Sequence, residues 1–255
     1  MTANVLVLTP VKDAAIEAEG YVQRLLALSY PSAHLAVGLL EGDSRDGTYD
    51  AFASRLPHLL DAGWRSARIW RHDVGYRIPE GVPRWEPSIQ LDRRRALAIA
   101  RNHLLFDALT DDIDWVLWLD ADVVEYPTDI VELLISIGRD IMQPHAVREW
   151  GGPSFDLNAW RDKGRLHLDD LRDEGFLVRL DAVGGTMLMV RADRHRDGLV
   201  WPAYLYGLPS PLIRTDPATI GRPEIGEIET EGLGMMAADM GLTCWGLPHV
   251  EVRHR

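Results

Sequence analysis

Short apolar runs alternate with segments of helical spacing through the first half of the chain. Four such runs occur, in "NVLVLTP", "HLAVGLLEGDS", "ARIWRHD" and "WVLWLD". Between them, apolar residues recur at helical spacing from about Ile16 to Leu28, Thr48 to Leu60 and Leu91 to Leu109. Continuous apolar runs are typical of strands buried on both faces, and strands that alternate with helices form parallel sheets. The sequence therefore predicts the α/β class, with a Rossmann-like, mostly parallel central sheet flanked by helices.

The second half of the chain is less regular. Its patterns predict a helix from Thr128 to Ile137, a short strand in "DIMQPH", a strand in "AVGGTMLMVRAD" and a helix from Glu231 to Met240. Glycine and proline interrupt the excursion "GGPSFDLNAWRDKG" and the loop at residues 74–90, while "GLTCWGLPHVEVRHR" should return one or two strands to the sheet. No sharp change of composition divides the chain, so we expect a single domain over residues 1–255.

Composition narrows the range of partners and compartments. The formal net charge is −12 at pH 7, so the surface as a whole repels phosphate backbones, and nucleic acid is expected only as an acceptor in a locally basic site. The single cysteine, Cys244, excludes an internal disulfide and a cysteine-built zinc site. No apolar run approaches the roughly 18 residues that span a bilayer, and the amino terminus lacks the basic segment of a signal peptide. These features predict a soluble cytoplasmic protein without a membrane anchor.

Two carboxylates follow the fourth apolar run. Asp120 and Asp122 stand one residue apart in "WVLWLDADVVEYP", at the carboxyl end of their strand, where open α/β sheets bind ligands. Carboxylate oxygens suit Mg²⁺ or Mn²⁺, and a bound ion would offset their repulsion and desolvation while leaving positions free for phosphate oxygens. The alternative is a solvated acidic turn, because an isolated Asp-X-Asp also occurs by chance.

Other polar residues are expected near the same edge of the sheet. Asp43 follows the second strand in "EGDS", where it can accept hydrogen bonds from a base or a ribose or, alternatively, contribute to the cap of the next helix. Arg101 and Asn102 lie beside the apolar face of the helix "RRALAIARNHLLFDAL", and Arg101 is placed to meet a diphosphate. The three arginines at residues 93–95 are expected on a solvated face.

Paired glycines and paired acids mark the second half. Gly184 and Gly185 open a strand, which indicates close backbone approach by a ligand or a bulge, with a tight turn as the alternative. Glu229 and Glu231 start a helix, where acids favour the dipole, although near a sugar either one can hold a hydroxyl or stabilise an oxocarbenium-like centre. His254 becomes a metal ligand only if the last strand brings it beside the paired aspartates.

Several motifs follow one another in the order found in a known enzyme family. They are "TPVKD", "EGDSRDGT", "ALAIARNHLL", "WVLWLDADVVEYP", "FDLNAW", "VGGTMLMVRADRHRDGLVWPAY", "IETEGLG" and "GLPHVEVRH". Together they resemble the fungal mannan-polymerase α-mannosyltransferases of glycosyltransferase family 62, over nearly the whole chain. The resemblance implies a GT-A fold, with a nucleotide-binding half at about 1–125 and an acceptor-binding half at about 126–255. It also implies a GDP-mannose donor, Mn²⁺ (or Mg²⁺), and transfer with retention to give an α-mannoside.

The resemblance, taken with the residue patterns, assigns roles to individual positions. The predicted metal ligands are Asp120, Asp122 and His254, with Asp122 on the metal directly and Asp120 also reaching ribose or sugar hydroxyls. The predicted cofactor-binding residues are Pro10, Asp43, Arg101, Asn102, Asp120, Gly184 and Gly185. Asn158, Trp160 and Glu229 are predicted to bind sugar or acceptor. Glu229, Glu231 and Arg101 form the predicted catalytic set.

One departure from the family leaves the acceptor open. The fungal enzymes carry an amino-terminal anchor and stem, whereas this chain begins at the catalytic domain, so we expect a soluble bacterial or phage relative rather than an excised domain. The expected partners are a nucleotide-sugar donor and a glycan or other hydroxyl-bearing acceptor. The alternatives are a retaining GT-A enzyme that uses a UDP-sugar, a transferase acting on modified bases of phage DNA, and an inactive nucleotide-binding protein. No motif clearly supplies a nucleophile, which favours same-face attack assisted by the departing phosphate.

Overall fold

The computed structural model describes residues 2–207 and 226–255, which form a large sheet flanked by helices. The strands are β1 (Val5–Val11), β2 (Leu35–Glu41), β3 (Ser66–Arg71), β4 (Trp115–Leu119), β5 (Val123–Glu125), β6 (Ile141–Val147), β7 (Trp160–Arg161), β8 (Leu166–His167), β9 (Val178–Leu180), β10 (Met187–Arg191) and β11 (Cys244–His254). The helices are α1 (Ala18–Leu26), α2 (Thr48–Ala53), α3 (Leu56–Asp61), α4 (Gln90–Ala108), α5 (Ile130–Ile137), α6 (Ala192–Arg196) and α7 (Glu229–Asp239). Each strand and helix predicted from the sequence has a counterpart among these elements.

The predicted helix from Thr48 to Leu60 is divided into two. α2 ends at Ala53 and α3 begins at Leu56, with a proline, Pro57, in the first turn of α3. Proline has no N–H to donate and fits only the first turn of a helix, so it favours a new start over continuation of α2. The periodicity of apolar residues alone does not reveal this break.

The order of strands in the main sheet is β3-β2-β1-β4-β10-β6-β11-β5, and β9 pairs with β11 outside this path. β3, β2, β1 and β4 run parallel to one another. β10 lies antiparallel between β4 and β6, while β11 returns parallel to β6. The predicted α/β class with flanking helices is confirmed, and the first four apolar runs provide a parallel set whose carboxyl ends meet at one edge.

The sheet is buried on both faces. In β1, Val5 and Val7 pack in the hydrophobic cluster on one side, whereas Leu6 and Leu8 pack in the cluster on the other. All seven residues of β2 and all five of β4 are buried. Side chains of successive strand residues point to opposite faces, so a strand covered on both sides needs apolar residues throughout. This explains why the runs read as continuous rather than alternating.

The last strand carries the end of the chain to the acidic turn after β4. β11 pairs with β6 in one register up to Leu247 and in another from Glu251, with Pro248 in the interval. Beyond this irregularity, His254 pairs with Val123 of β5, which follows directly on Asp122. Proline cannot donate to a ladder and is typical of such interruptions. Within residues 2–207 and 226–255, none of the helices combines the length and apolarity required to span a bilayer.

Candidate functional site

A cleft of about 440 Å³ opens at the carboxyl ends of β1, β2 and β4. Five residues predicted to bind nucleotide or metal line it, namely Pro10, Asp43, Arg101, Asp120 and Asp122. Further cationic and aromatic side chains join them on the wall, among them Lys12, His72, Tyr76, Arg84 and Arg93. Ligands of open α/β sheets bind at this end of the strands, and a cleft of this size accommodates a small molecule.

The turn that carries the two aspartates is held by backbone contacts. The N–H of Asp120 donates to the carbonyl oxygen of Thr186 at 2.9 Å, and Arg24 donates to the carbonyl oxygen of Ala121 at 2.9 Å. The N–H of Val123 closes the turn by donating to the carbonyl oxygen of Asp120 at 3.2 Å. These three hydrogen bonds hold the turn in place, and both aspartates line the cleft.

Asp122 and His254 are in direct contact. His254 Nε2 lies 3.0 Å from Asp122 Oδ1, and Nδ1 donates to the carbonyl oxygen of Arg255 at 2.9 Å, so Nε2 is the nitrogen that faces the carboxylate. Phe155 stacks on the imidazole with ring centroids 3.9 Å apart. Burial lowers the pKa of His254, but the hydrogen bond and the charge of Asp122 outweigh it and raise that pKa overall.

Asp120 is the electrostatically strained member of the pair. Burial, together with the charges of Asp122 and Asp156, raises its pKa to about 7 even though the positive charge of Arg101 opposes the shift. Arg101 Nη2 lies 3.6 Å from Asp120 Oδ1. In the described part of the chain, no three side chains stand together at metal-binding spacing, since Asp120 is directed toward Arg101 while Asp122 meets His254.

Arg101 is buried beside the cleft, with 4% of its surface exposed. Its Nη1 lies 2.9 Å from Glu229 Oε1, and its guanidinium stacks over Trp201 at 4.3 Å from the ring centroid. Its Nε–H finds no hydrogen-bond partner among the described residues. A buried donor without a partner is costly. Arg101 also lines the cleft, where its positive charge is suited to an anionic ligand.

Gly184 and Gly185 make room for side chains of the protein, and neither lines the cleft. A Cβ at Gly184 would lie 1.9 Å from Asp156 Oδ2, and one at Gly185 would lie 2.2 Å from Arg101 Nη2. The sequence predicted close approach by a ligand or a bulge, whereas the atoms that approach these glycines belong to Asp156 and Arg101. This arrangement argues against direct contact between either glycine and a cofactor.

Asn102 has a structural role in this fold. Its Nδ2 donates to the carbonyl oxygen of Trp201 at 2.7 Å, and its Oδ1 accepts from the N–H of Trp201 at 2.9 Å. Both ends of the amide are thereby used, and the residue lies outside the set that lines the cleft. These contacts place Trp201 beneath Arg101, and binding of nucleotide by Asn102 stays a prediction.

Asp43 organises the loop that borders the cleft. It adopts a left-handed backbone conformation with φ of 58°. Its Oδ2 accepts hydrogen bonds from the N–H groups of Val74 and Gly75, at 3.0 and 2.9 Å. α2 has Gly47 at its N-cap position and no capping hydrogen bond from a side chain, although Asp46 Oδ1 accepts from the N–H of Thr48 at 3.0 Å. The alternative role of Asp43 in capping a helix is therefore wrong, and Asp43 remains at the cleft.

Glu229 and Glu231 begin α7 and are both engaged in ion pairs. Glu229 is buried and bonds Arg101, whereas Glu231 Oε2 lies 2.6 Å from Arg94 Nη1. Glu231 Oε1 accepts a hydrogen bond from Trp160 Nε1 at 2.9 Å. Of the predicted catalytic set, Arg101 therefore lines the cleft, whereas Glu229 and Glu231 lie behind it.

The excursion "GGPSFDLNAWRDKG" contains Asn158 and Trp160, the remaining residues predicted to bind sugar or acceptor. The N–H of Asn158 donates to Asp156 Oδ1 at 3.3 Å, and Asp156 also accepts from the N–H of Thr186 at 3.1 Å. Trp160 lies on β7, which pairs with β8 to form a separate two-stranded sheet. Asn158 and Trp160 are therefore adjacent to the site but do not line the cleft.

The prediction that residues 93–95 are solvated is wrong for two of the three. Arg93 lines the cleft, and Arg94 has only 18% of its side chain exposed, while Arg95 alone is well exposed. Helical spacing contains the missing signal, because Arg94 lies seven residues before Arg101 and therefore on the same face of α4. The composition of a run of three arginines, unlike its helical spacing, does not show which of them is covered by the protein.

Comparison with known proteins places this geometry in a family. Residues 1–170 match the Anp1 family model. The chain is 28% identical to the mannan polymerase complex subunit mnn9 of Schizosaccharomyces pombe, over 98% of this chain and 80% of that protein. It is 26% identical to the mannan polymerase II complex ANP1 subunit of Saccharomyces cerevisiae, over 98% of this chain but 55% of that protein.

A solved structure shows the same fold. The mannosyltransferase PcManGT of Pyrobaculum calidifontis, in complex with GDP-Man and Mn²⁺, superposes with a TM-score of 0.57 at 15% identity, covering 100% of this chain and 57% of that one. The GT-A fold implied by the sequence is thereby confirmed. With about two thirds of its length matched by the family model, this chain belongs to the Anp1 family.

Proposed function

We propose that this chain is a metal-dependent glycosyltransferase that transfers mannose from GDP-mannose to an acceptor hydroxyl with retention. The contact between Asp122 and His254 carries the proposal, because it joins the end of the chain to the acidic turn at the floor of the cleft. Membership of a family whose curated relatives are mannan polymerase subunits supports the reaction class. A neighbour of the same fold that holds GDP-Man and Mn²⁺ supports the choice of donor and ion.

The residues present fit a divalent cation. Burial and two neighbouring carboxylates raise the pKa of Asp120 to about 7, and a cation near this carboxylate would stabilise its charged form. Asp122 and His254 would hold the ion, with the imidazole tautomer fixed by the carbonyl oxygen of Arg255. A bound Mn²⁺ or Mg²⁺ would neutralise negative charge on the phosphates of the donor.

The chain's own residues would position the donor and stabilise the leaving group. Arg101 lines the cleft and can bind the diphosphate as its negative charge increases. Asp43 and Pro10, at the ends of β2 and β1, would border the nucleoside. Asp120 would remain available to sugar or ribose hydroxyls. Neither Asn102 nor the glycine pair has a binding role in this proposal, since their contacts are internal.

Retention is proposed to proceed by attack on the same face. The acceptor oxygen would bond to the anomeric carbon as the bond to the diphosphate breaks, and the acceptor proton would pass to the departing phosphate. Glu229 and Glu231 are the carboxylates that would be considered as a nucleophile. Both, however, form ion pairs with arginine and do not line the cleft. Their proposed part, with Asn158 and Trp160, is to shape the side where sugar and acceptor meet.

Turnover of GDP-mannose by the purified protein tests the function. Release of GDP from GDP-mannose should require Mn²⁺ or Mg²⁺ and should fall by at least about a hundredfold in D122A. It should also exceed the release of UDP from UDP-glucose, UDP-galactose and UDP-GlcNAc. D61A, on the surface of α3, is the matched control and should behave as wild type. Equal turnover in D122A and D61A would contradict the assignment of the metal site, whereas preference for a UDP-sugar would contradict the donor alone.

A further inference from the structure

Arg94 on α4 binds the start of α7 at several points. Its Nη1 lies 2.6 Å from Glu231 Oε2, and its Nε lies 3.5 Å from Glu229 Oε2. Its Nη2 donates to the carbonyl oxygen of Ile228 at 2.5 Å. Arginine presents its donors in a rigid planar fork, so a single guanidinium holds two carboxylates and the backbone that precedes the helix.

The backbone of Glu229 depends on such contacts. Its φ is +57°, in the left-handed region, and its side chain is 4% exposed. Its N–H donates to the carbonyl oxygen of Pro202 at 2.9 Å. A residue with a Cβ is strained in this region, and the strain persists only where the surroundings over-determine the conformation. Arg94 supplies part of that constraint directly on the Glu229 carboxylate.

The two carboxylates lead to two different parts of the site. Glu229 Oε1 lies 2.9 Å from Arg101 Nη1, and Arg101 in turn lies 3.6 Å from Asp120 on the donor side. Glu231 Oε1 accepts from Trp160 Nε1 at 2.9 Å, and Trp160 belongs to the excursion that borders the proposed acceptor side. Both chains of contacts begin at the guanidinium of Arg94, which itself does not line the cleft.

We propose that Arg94 is a positioning residue that aligns donor-side Arg101 with acceptor-side Trp160 through the carboxylates of Glu229 and Glu231. The inference rests on the proposed glycosyltransferase function. Without Arg94, the groups proposed to bind metal and nucleoside remain. The donor side and the acceptor side, however, are no longer held by one shared side chain. The expected defect therefore lies in turnover and in the choice between acceptor and water, with GDP affinity nearly unchanged.

The test compares R94Q and R94K with the control R95Q, which alters the adjacent exposed arginine and its ion pair with Asp92. The assay uses GDP-mannose with Mn²⁺ and methyl α-mannoside as the acceptor probe, and it measures both transferred and hydrolysed mannose. R94Q should lower kcat roughly ten- to hundredfold, since small misplacements cost this much, and should shift product toward hydrolysis. The dissociation constant of GDP with Mn²⁺ should change by less than about threefold, because R94Q removes no group proposed to hold either one.

Each variant has a result that would overturn the inference. The inference would be overturned if R94Q had the same kcat and the same ratio of transfer to hydrolysis as R95Q. A defect of R94Q confined to GDP affinity would also overturn it. R94K keeps the charge without the fork and should recover part of the turnover, so it decides the question if circular dichroism shows that R94Q does not fold. Wild-type kcat and partition in R94K would then overturn the inference. Absence of turnover by the wild-type protein with every nucleotide sugar would instead overturn the proposed function.

Discussion

Replacement of Gly185 by alanine should displace Arg101 and destabilise the protein. The new Cβ would lie 2.2 Å from Arg101 Nη2 and 2.6 Å from its Cζ, whereas ordinary contacts begin at 3.4 Å. The guanidinium must therefore move by about 1 Å to restore van der Waals separation. It has little freedom to do so, because it is buried, stacks over Trp201 at 4.3 Å and pairs with Glu229 at 2.9 Å.

The magnitude follows from two contributions. Overpacking a well-packed site costs about 1–3 kcal/mol, and loss of one partner of a buried ion pair costs about 3–5 kcal/mol. The shift weakens the Arg101–Glu229 pair without removing it, so G185A should lower the free energy of unfolding by about 2–4 kcal/mol. The φ of Gly185 lies outside the left-handed region, so backbone strain adds nothing. Urea denaturation followed by tryptophan fluorescence measures the change.

A double-mutant cycle isolates the cause. R101A removes the atoms that the new Cβ would strike, so G185A should cost less than about 0.5 kcal/mol in an R101A background. The coupling energy should then be about 2 kcal/mol or more. Equal costs of G185A in the wild-type and R101A backgrounds would refute the reasoning, because the clash would not involve Arg101.

Two further predictions concern stability and binding. Burial lowers the pKa of His195 from 6.5 to about 4. As pH falls, His195 is therefore protonated in the unfolded protein before it is protonated in the folded protein. Stability from this source is fully present above pH 6.5 and should decline by about 3 kcal/mol as pH falls to 4. Urea titrations of wild type and H195Q should therefore converge toward pH 4, and parallel curves would contradict this. Arg93 lines the cleft and can place its positive charge near a bound diphosphate, so R93Q should weaken GDP binding about tenfold. Calorimetry with R95Q as control tests it, and equal affinities would contradict it.

The strands and the acidic turn were predictable because burial on both faces leaves a continuous apolar run. β4 coincides with the predicted run from Trp115 to Leu119, and a strand that ends in carboxylates is informative because charges are costly in a core. The same logic located Asp120 and Asp122 at the cleft. Local sequence therefore predicts where the sheet ends and where polar groups must emerge.

Contacts between distant segments were not predictable from the sequence. Arg94 is largely covered because α7 lies against α4. Helical spacing places it on the face of Arg101, but the sequence does not show that α7 covers that face. Gly184 and Gly185 were predicted to allow approach by a ligand or to form a bulge, but the side chains that approach them, Asp156 and Arg101, come from other elements. The hydrogen bonds of Asn102 were not predictable for the same reason, since its partner Trp201 is 99 residues away.

The central claim is that Asp122 and His254 hold a divalent cation that supports nucleotide binding. Isothermal titration of GDP with and without Mn²⁺ tests it most directly on wild type, H254A and the surface control H58A. The account predicts that Mn²⁺ strengthens GDP binding to wild type and H58A, and that H254A loses most of this enhancement while retaining the metal-free affinity. An equal Mn²⁺ enhancement in H254A and wild type would contradict the account.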